Sequence, residues 1–163
     1  MRDLHRPGRS AVFAQNGMCA TSHPLAAQTA IEILKSGGNA MDAAIAAAVL
    51  LGICEPQMTG IGGDCFVLRS RPGAPVKALN GSGRAPAAAT SDALRAAGHS
   101  TVPLNDAAAV SVPGAMDAFC HLSETEGRLG IDRLLSPAIH YADEGVPVAP
   151  RVAFDWAKDA AAL

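Results

Sequence analysis

The sequence predicts a mixed α/β chain of the α+β kind, rich in helix and poor in strand. Three observations predict it. Helical periodicity with start and stop signals runs over residues 25–35, a long apolar stretch covers residues 43–54, and one hairpin pairs residues 65–69 with 76–79. A chain of 163 residues fits one domain and can bury about two-thirds of its unfolded surface. With 49% hydrophobic and 17% charged residues it is not a disordered chain. A net charge of -2 gives no basic footprint for nucleic acid. Aromatic residues make up only 4%, although large rings are the efficient fillers of a self-sufficient core. The composition therefore reads as a single incomplete domain over residues 1–163.

Each element has its own local reason. The short apolar stretches at 12–14 and 18–20 read as strands around the Asn16-Gly17 turn. Ser22 reads as the N-cap of the first helix, Pro24 suits its first turn, and Gly37 suits a left-handed stop. Ala27, Ala30, Ile31 and Leu34 form its apolar face. Asn39 caps the second helix, and Asp42 places a carboxylate in the first turn, where the helix dipole favours it. Residues 43–54 are apolar all round, which marks a helix buried on every side. A domain of this size rarely surrounds such a helix, so a larger body is expected to supply cover.

Glu55-Pro56 ends that helix, because a residue before proline is pushed out of the helical region. A glycine-dense loop at 59–64 leads into the hairpin, which turns at Pro72-Gly73. A second irregular loop covers 80–86. Ser91 caps a short helix through Ala97 that stops at Gly98, and residues 109–112 read as a strand before Pro113-Gly114. Helices follow over 115–125 and over 132–144, the latter closed by Gly145. Residues 151–162 start a last helical pattern, within which the chain ends. No repeat or linker divides it.

The amino terminus has positive charge but no apolar run after it, so it does not read as a secretory signal. Spanning a bilayer takes about 20 apolar residues, more than the run at 43–54 offers. A cytoplasmic protein is expected. Cys19, Cys54, Cys65 and Cys120 stand singly, as buried small hydrophobes do. The nearest approach to a zinc pattern is Cys19 with His23, and no metal site is expected.

Two loops carry the candidate chemistry. In Gly60-Ile-Gly-Gly63, backbone amides can turn toward an anion, but the order is helix, loop, strand, the reverse of a dinucleotide fingerprint. The plainer reading is a tight helix-to-strand turn. In Gly81-Ser-Gly-Arg-Ala-Pro86, the Arg84 guanidinium can grip a carboxylate with two parallel hydrogen bonds, with Ser82 beside it. The plainer alternative is a solvated surface arginine. His23, His99, His121 and His140 are scattered, and Asp143-Glu144 reads as a solvated helix end. None of these makes a catalytic set.

Several blocks, in order, resemble the amino-terminal region of gamma-glutamyltransferases. They are Cys19-Ala-Thr-Ser-His-Pro-Leu-Ala-Ala-Gln28, Ile33-Leu-Lys-Ser-Gly-Gly-Asn-Ala-Met-Asp-Ala-Ala44 and Glu55-Pro-Gln-Met-Thr-Gly-Ile-Gly-Gly63, with Val110-Ser-Val-Pro-Gly-Ala115 and the run from Leu134 to Gly145. The resemblance covers residues 17–152. It implies an N-terminal-nucleophile hydrolase with an α-β-β-α sandwich built from two subunits of one self-cleaving precursor. It also implies that the nucleophile is the new amino-terminal threonine of the small subunit, outside this chain, with its own α-amine as base. An acyl-enzyme then gives hydrolysis with water or transfer to an amine, without metal or organic cofactor. The implied partners are a small-molecule amide, the small subunit, the rest of the large subunit and further copies of the processed heterodimer. Neither nucleic acid nor membrane is among them.

One departure bears on substrate. Members that act on gamma-glutamyl groups carry an Arg-Glu pair in the loop before Ala-Pro, where the arginine holds the substrate α-carboxylate. Aligned on Ala85-Pro86, those positions hold Ser82 and Gly83, with Arg84 one step nearer the Ala-Pro. Loss of a bidentate charged contact costs on the order of 2–5 kcal/mol of recognition. The altered loop fits better the relatives that hydrolyse other amides, such as oxamate or acylated β-lactams. The competing reading is a non-catalytic truncated remnant or interaction module of the same family.

Overall fold

The structure, a computed structural model, describes residues 10–104 and 106–159. Its first helix, α1 (Pro24–Lys35), starts where Pro24 fixes the first helical residue. That places the cap at His23, whose imidazole Nδ1 accepts the Leu25 N–H at 3.2 Å. Ser22, the expected cap, lies one residue too early and donates its hydroxyl to Glu55 Oε2 at 2.6 Å. The helix ends as expected: Gly37 has φ +98°, and the Gly38 and Gly37 N–H groups close back on the Ile33 and Leu34 carbonyls. The buried face is Ala26, Thr29, Ala30 and Ile33. It is rotated from the expected face, and Ile31 and Leu34 sit half-buried on its shoulder.

The central element is α2 (Ala40–Cys54). Asn39 Oδ1 accepts the Met41 and Asp42 N–H groups while Asp42 accepts the Asn39 N–H at 2.8 Å, a reciprocal capping box. Helix α2 packs against α1 and against two later helices, α4 (Gly114–Glu126) and α5 (Ile131–Glu144). Ile45, Ala46 and Leu50 on α2 and Leu134 on α5 are among the most deeply buried residues. The chain's own helices thus supply most of the cover that the all-round apolar pattern demands. Ala44 stays exposed, and Gly52 and Ile53 border an open apolar cavity of about 370 Å³ with Ile61, Met116 and Leu135.

Strands β1 (Cys65–Arg69) and β2 (Lys77–Gly81) form one antiparallel pair with Cys65 opposite Gly81 and Val67 opposite Leu79. The second strand lies one to two residues later than the sequence pattern suggests, because the turn around Gly73 (φ +74°) is long enough to take Val76. Alternation sends Cys65, Val67 and Arg69 inward and leaves Phe66 and Leu68 exposed. Helix α4 covers the inner face, touching both strands.

Short α3 (Ser91–Ala96) is capped by Thr90, not Ser91, and stops at Gly98 (φ +86°). Helix α6 (Pro150–Asp159) ends the described residues; the expected continuation to residue 162 lies outside them. Three expected strands do not form. Residues 12–14 and 18–20 find no pairing partner and stay irregular, with Phe13 exposed. At 107–109 the chain makes a 3-10 turn, because the Asp106 carboxylate accepts the Ala108 N–H at 2.8 Å. Residues 110–113 are irregular, and among the described residues their one long-range backbone bond is from the Val112 N–H to the Arg84 carbonyl. Among the described residues, no helix is long and apolar enough to cross a membrane.

Candidate functional site

Three irregular segments meet beside the amino end of α4. The loop at 59–64 arrives from α2, the loop at 82–86 leaves β2 two residues later than the sequence pattern suggests, and residues 110–113 lead into α4. A helix start leaves N–H groups without intrahelical partners, and Pro113 offers no side-chain cap. The Gly63 carbonyl fills that role, accepting the Gly114 N–H at 3.2 Å and the Ala115 N–H at 2.8 Å. At this residue the glycine loop presents an acceptor to the protein itself, which fits the helix-to-strand turn and not an anion cradle.

The 82–86 loop is held from both sides. The Val112 N–H donates to the Arg84 carbonyl at 2.8 Å, and the Gly83 N–H donates to Asp64 Oδ1 at 2.7 Å. Glycine is needed where the segments stack. A Cβ on Gly114 would lie 2.6 Å from the Gly83 nitrogen, and one on Gly83 would lie 2.8 Å from Ser111 Cβ. Near the end of β2, Asn80 Oδ1 accepts both the N–H of Ser82, at 3.0 Å, and its hydroxyl. This local turn fixes Ser82 by a short polar side chain.

Both predicted site residues therefore sit on one pinned loop. Ser82 and Arg84 are exposed. With its hydrogen engaged by Asn80, the Ser82 hydroxyl presents acceptor lone pairs outward. Among the described residues the Arg84 guanidinium has no ion-pair partner, while its backbone is fixed. Such a group can receive a carboxylate in bidentate fashion. Sequence reasoning missed Asp64, Asn80 and Ser111. Asn80-Gly81 is a turn signal that points to Asn80, while Asp64 and Ser111 act across 19 residues or more and leave no local trace.

The other titratable groups do not converge here. His23 is buried as a helix cap, with its Nε2 unpartnered among the described residues, and His140 stacks edge-on with Tyr141. Asp143 and Glu144 are exposed, as a solvated helix end should be. Burial pushes the Cys65 thiol pKa up, and burial with the neighbouring Glu55 charge does the same to Cys54. Neither is therefore an activated nucleophile. Among the described residues no three metal-ligating side chains cluster. The arrangement offers binding groups on a fixed loop.

The family model described as gamma-glutamyltranspeptidase matches residues 26–163. The glutathione hydrolase-like YwrD proenzyme of Bacillus subtilis is 39% identical over 140 residues, covering 85% of this chain and 26% of that protein. The oxamate amidohydrolase proenzyme of Klebsiella pneumoniae is 37% identical over 145 residues, with 85% and 27% covered. The crystal structure of cephalosporin acylase from Bacillus halodurans superposes with a TM-score of 0.88 at 46% identity, over 96% of this chain and 30% of that one. The chain spans about a quarter of the length of the curated relatives it matches. With the family model matched over most of its residues, the chain belongs to the gamma-glutamyltranspeptidase family.

Proposed function

We propose that residues 1–163 are one incomplete domain, the amino-terminal part of the large subunit of an amide hydrolase or acyltransferase. The observation that carries this reading is the pinned loop, with an Arg84 charge that has no ion-pair partner among the described residues and an outward Ser82 acceptor. In this reading the loop lines the substrate site, Arg84 receiving a carboxylate and Ser82 an N–H. The amino-terminal threonine of a small subunit, from the same precursor, attacks the amide. The relatives named as an oxamate amidohydrolase and a cephalosporin acylase support a substrate other than a gamma-glutamyl amide. So does Ser82 at the position where an arginine would hold an α-carboxylate.

The bare apolar outer face of the β1–β2 pair, with Phe66 and Leu68 exposed, supports a second sheet stacked on it. That is the sandwich the family resemblance implies. The processed enzyme works in the cytoplasm in this reading.

The test is a screen of the processed enzyme against gamma-glutamyl, glutaryl and oxamate-type amides, with Arg84→Ala beside it. Arg84→Ala is expected to raise KM for carboxylate-bearing amides about tenfold or more, the value of one charged contact. An unchanged KM across the panel removes Arg84 from the site. The 163-residue chain alone is expected to turn over none of these amides; genuine turnover by it would place a nucleophile inside the chain.

A further inference from the structure

We infer that Asp64 is the positioning residue of the substrate-lining loop, and through it a determinant of selectivity for carboxylate-bearing amides. The inference rests on the reading of Ser82 and Arg84 as substrate contacts, and goes beyond it by assigning what sets their position.

Few groups hold residues 82–84. Asn80, in β2, bonds Ser82 two positions along the chain and reaches no further into the loop. Val112 bonds the Arg84 carbonyl by backbone alone, from a segment that is itself irregular. Among the described residues, Asp64 is the one side chain distant in sequence that bonds the loop, at 2.7 Å across 19 positions, and the one that bonds Gly83. It is also well anchored. Asp64 directly precedes β1, and the preceding Gly63 carbonyl is fixed on the first two N–H groups of α4. The carboxylate therefore transmits the position of the sheet and of α4 to Gly83, the residue between Ser82 and Arg84.

The chemistry suits the task. A hydrogen bond to an ionised carboxylate is roughly twice as strong as one between neutral groups. Gly83 accepts no side chain without collision with Ser111, so the loop cannot settle toward 111–112 if Asp64 lets go. It would move outward instead, carrying Arg84 with it. A small displacement of a bidentate grip is costly, because both hydrogen bonds must align together. Asp64 therefore acts through the loop and makes no substrate contact of its own.

The experiment is a double-mutant cycle on the processed enzyme, with Asp64→Ala, Arg84→Ala and the pair, assayed on a carboxylate-bearing amide and its neutral analogue. Asp64→Ala is expected to raise KM for the carboxylate-bearing amide about tenfold, with kcat changed less than about twofold. The pair is expected to be no worse than Arg84→Ala alone, because a positioning residue has nothing left to position. Asp64→Asn keeps an acceptor and should restore most of the lost affinity. Independent, additive effects would overturn the inference while leaving Arg84 as a substrate contact. Normal KM in Asp64→Ala with an impaired Arg84→Ala would do the same. If Arg84→Ala itself is silent, the reading of the loop falls and the inference with it.

Discussion

The helical body and the loop junction are held by opposite means. In the body, α1, α4 and α5 bury apolar side chains against α2, and one fully buried carboxylate finishes the work. Asp42 accepts from the Asn39 N–H at 2.8 Å, the Arg128 N–H at 3.0 Å and the Leu129 N–H at 3.3 Å. Asn39 in turn donates its side-chain amide to the Glu126 carbonyl at 2.7 Å. The same pair that starts α2 thus ties down the connection between α4 and α5. At the junction, exposed segments are locked by glycine contacts and single backbone hydrogen bonds. The lesson is that a polar group serves stability where it is buried and fully partnered, and serves geometry where water can replace it.

The sharpest way to break the comparison is to remove the buried carboxylate. Asp42→Ala strips the acceptor from three N–H groups in a place closed to water. It is expected to cost about 3–5 kcal/mol, from unsatisfied buried donors and a lost cap together. For a protein of this size that lowers Tm by about 10 °C or more. Thermal unfolding of Asp42→Ala and of Asp42→Asn, which keeps part of the acceptor, measures it. A fall of only a degree or two would mean that the apolar contacts alone hold the body.

At the junction the expected order of effects reverses. Gly83→Ala puts a methyl group against Ser111 and the Val112 carbonyl. Overpacking of this kind costs about 1–3 kcal/mol, and here the first obstacle is a backbone carbonyl beside a half-buried residue. Stability should fall by about that much, less than for Asp42→Ala, while KM for a carboxylate-bearing amide rises severalfold because Ser82 and Arg84 shift together. A large Tm loss without a change in KM would show that the junction is structural and nothing more.

The same contrast explains how much could be read from the sequence. Features set by neighbours along the chain were legible: the Asn39 cap with Asp42, the glycine stops at 37, 98 and 145, and the hairpin at 65–81. The loop carrying Ser82 and Arg84 was legible as an irregular glycine-rich segment, but the bonds that pin it were not. Features set by the third dimension were not. The strand expected at 109–112 has the right residue types but no partner strand, and Asp106 offers the backbone a competing turn. Ser22 is a good cap in isolation, yet Pro24 moves the helix start past it and Glu55 claims its hydroxyl. Asp42 was read as a first-turn acid, and nothing near it in sequence announces the bonds to Arg128 and Leu129. Asp64 escaped for the same reason.

The smallest expected effect lies at the seam between the two regions, where α2 ends in Cys54. Burial, with the adjacent Glu55 charge, raises the pKa of its thiol above the ordinary 9.0. The folded chain therefore holds this proton to higher pH than the unfolded chain does. Below pH 9 both states are protonated, and the stabilisation is fully present. As pH rises past 9 the unfolded state gives up its proton first, so stability falls until the folded thiol also ionises. Cys65, raised by burial alone, adds a slope of the same sign. Cys54→Ala should flatten the decline of Tm above pH 9 relative to the unmodified chain. Iodoacetamide should also reach Cys54, 3% exposed, more slowly than half-buried Cys19 or Cys120 at any pH where the fold persists. Rapid alkylation of Cys54, with an unchanged alkaline slope in the alanine variant, would mean that the end of α2 opens readily. The seam would then belong with the junction, and the rigid body would stop short of the loop that it is supposed to anchor.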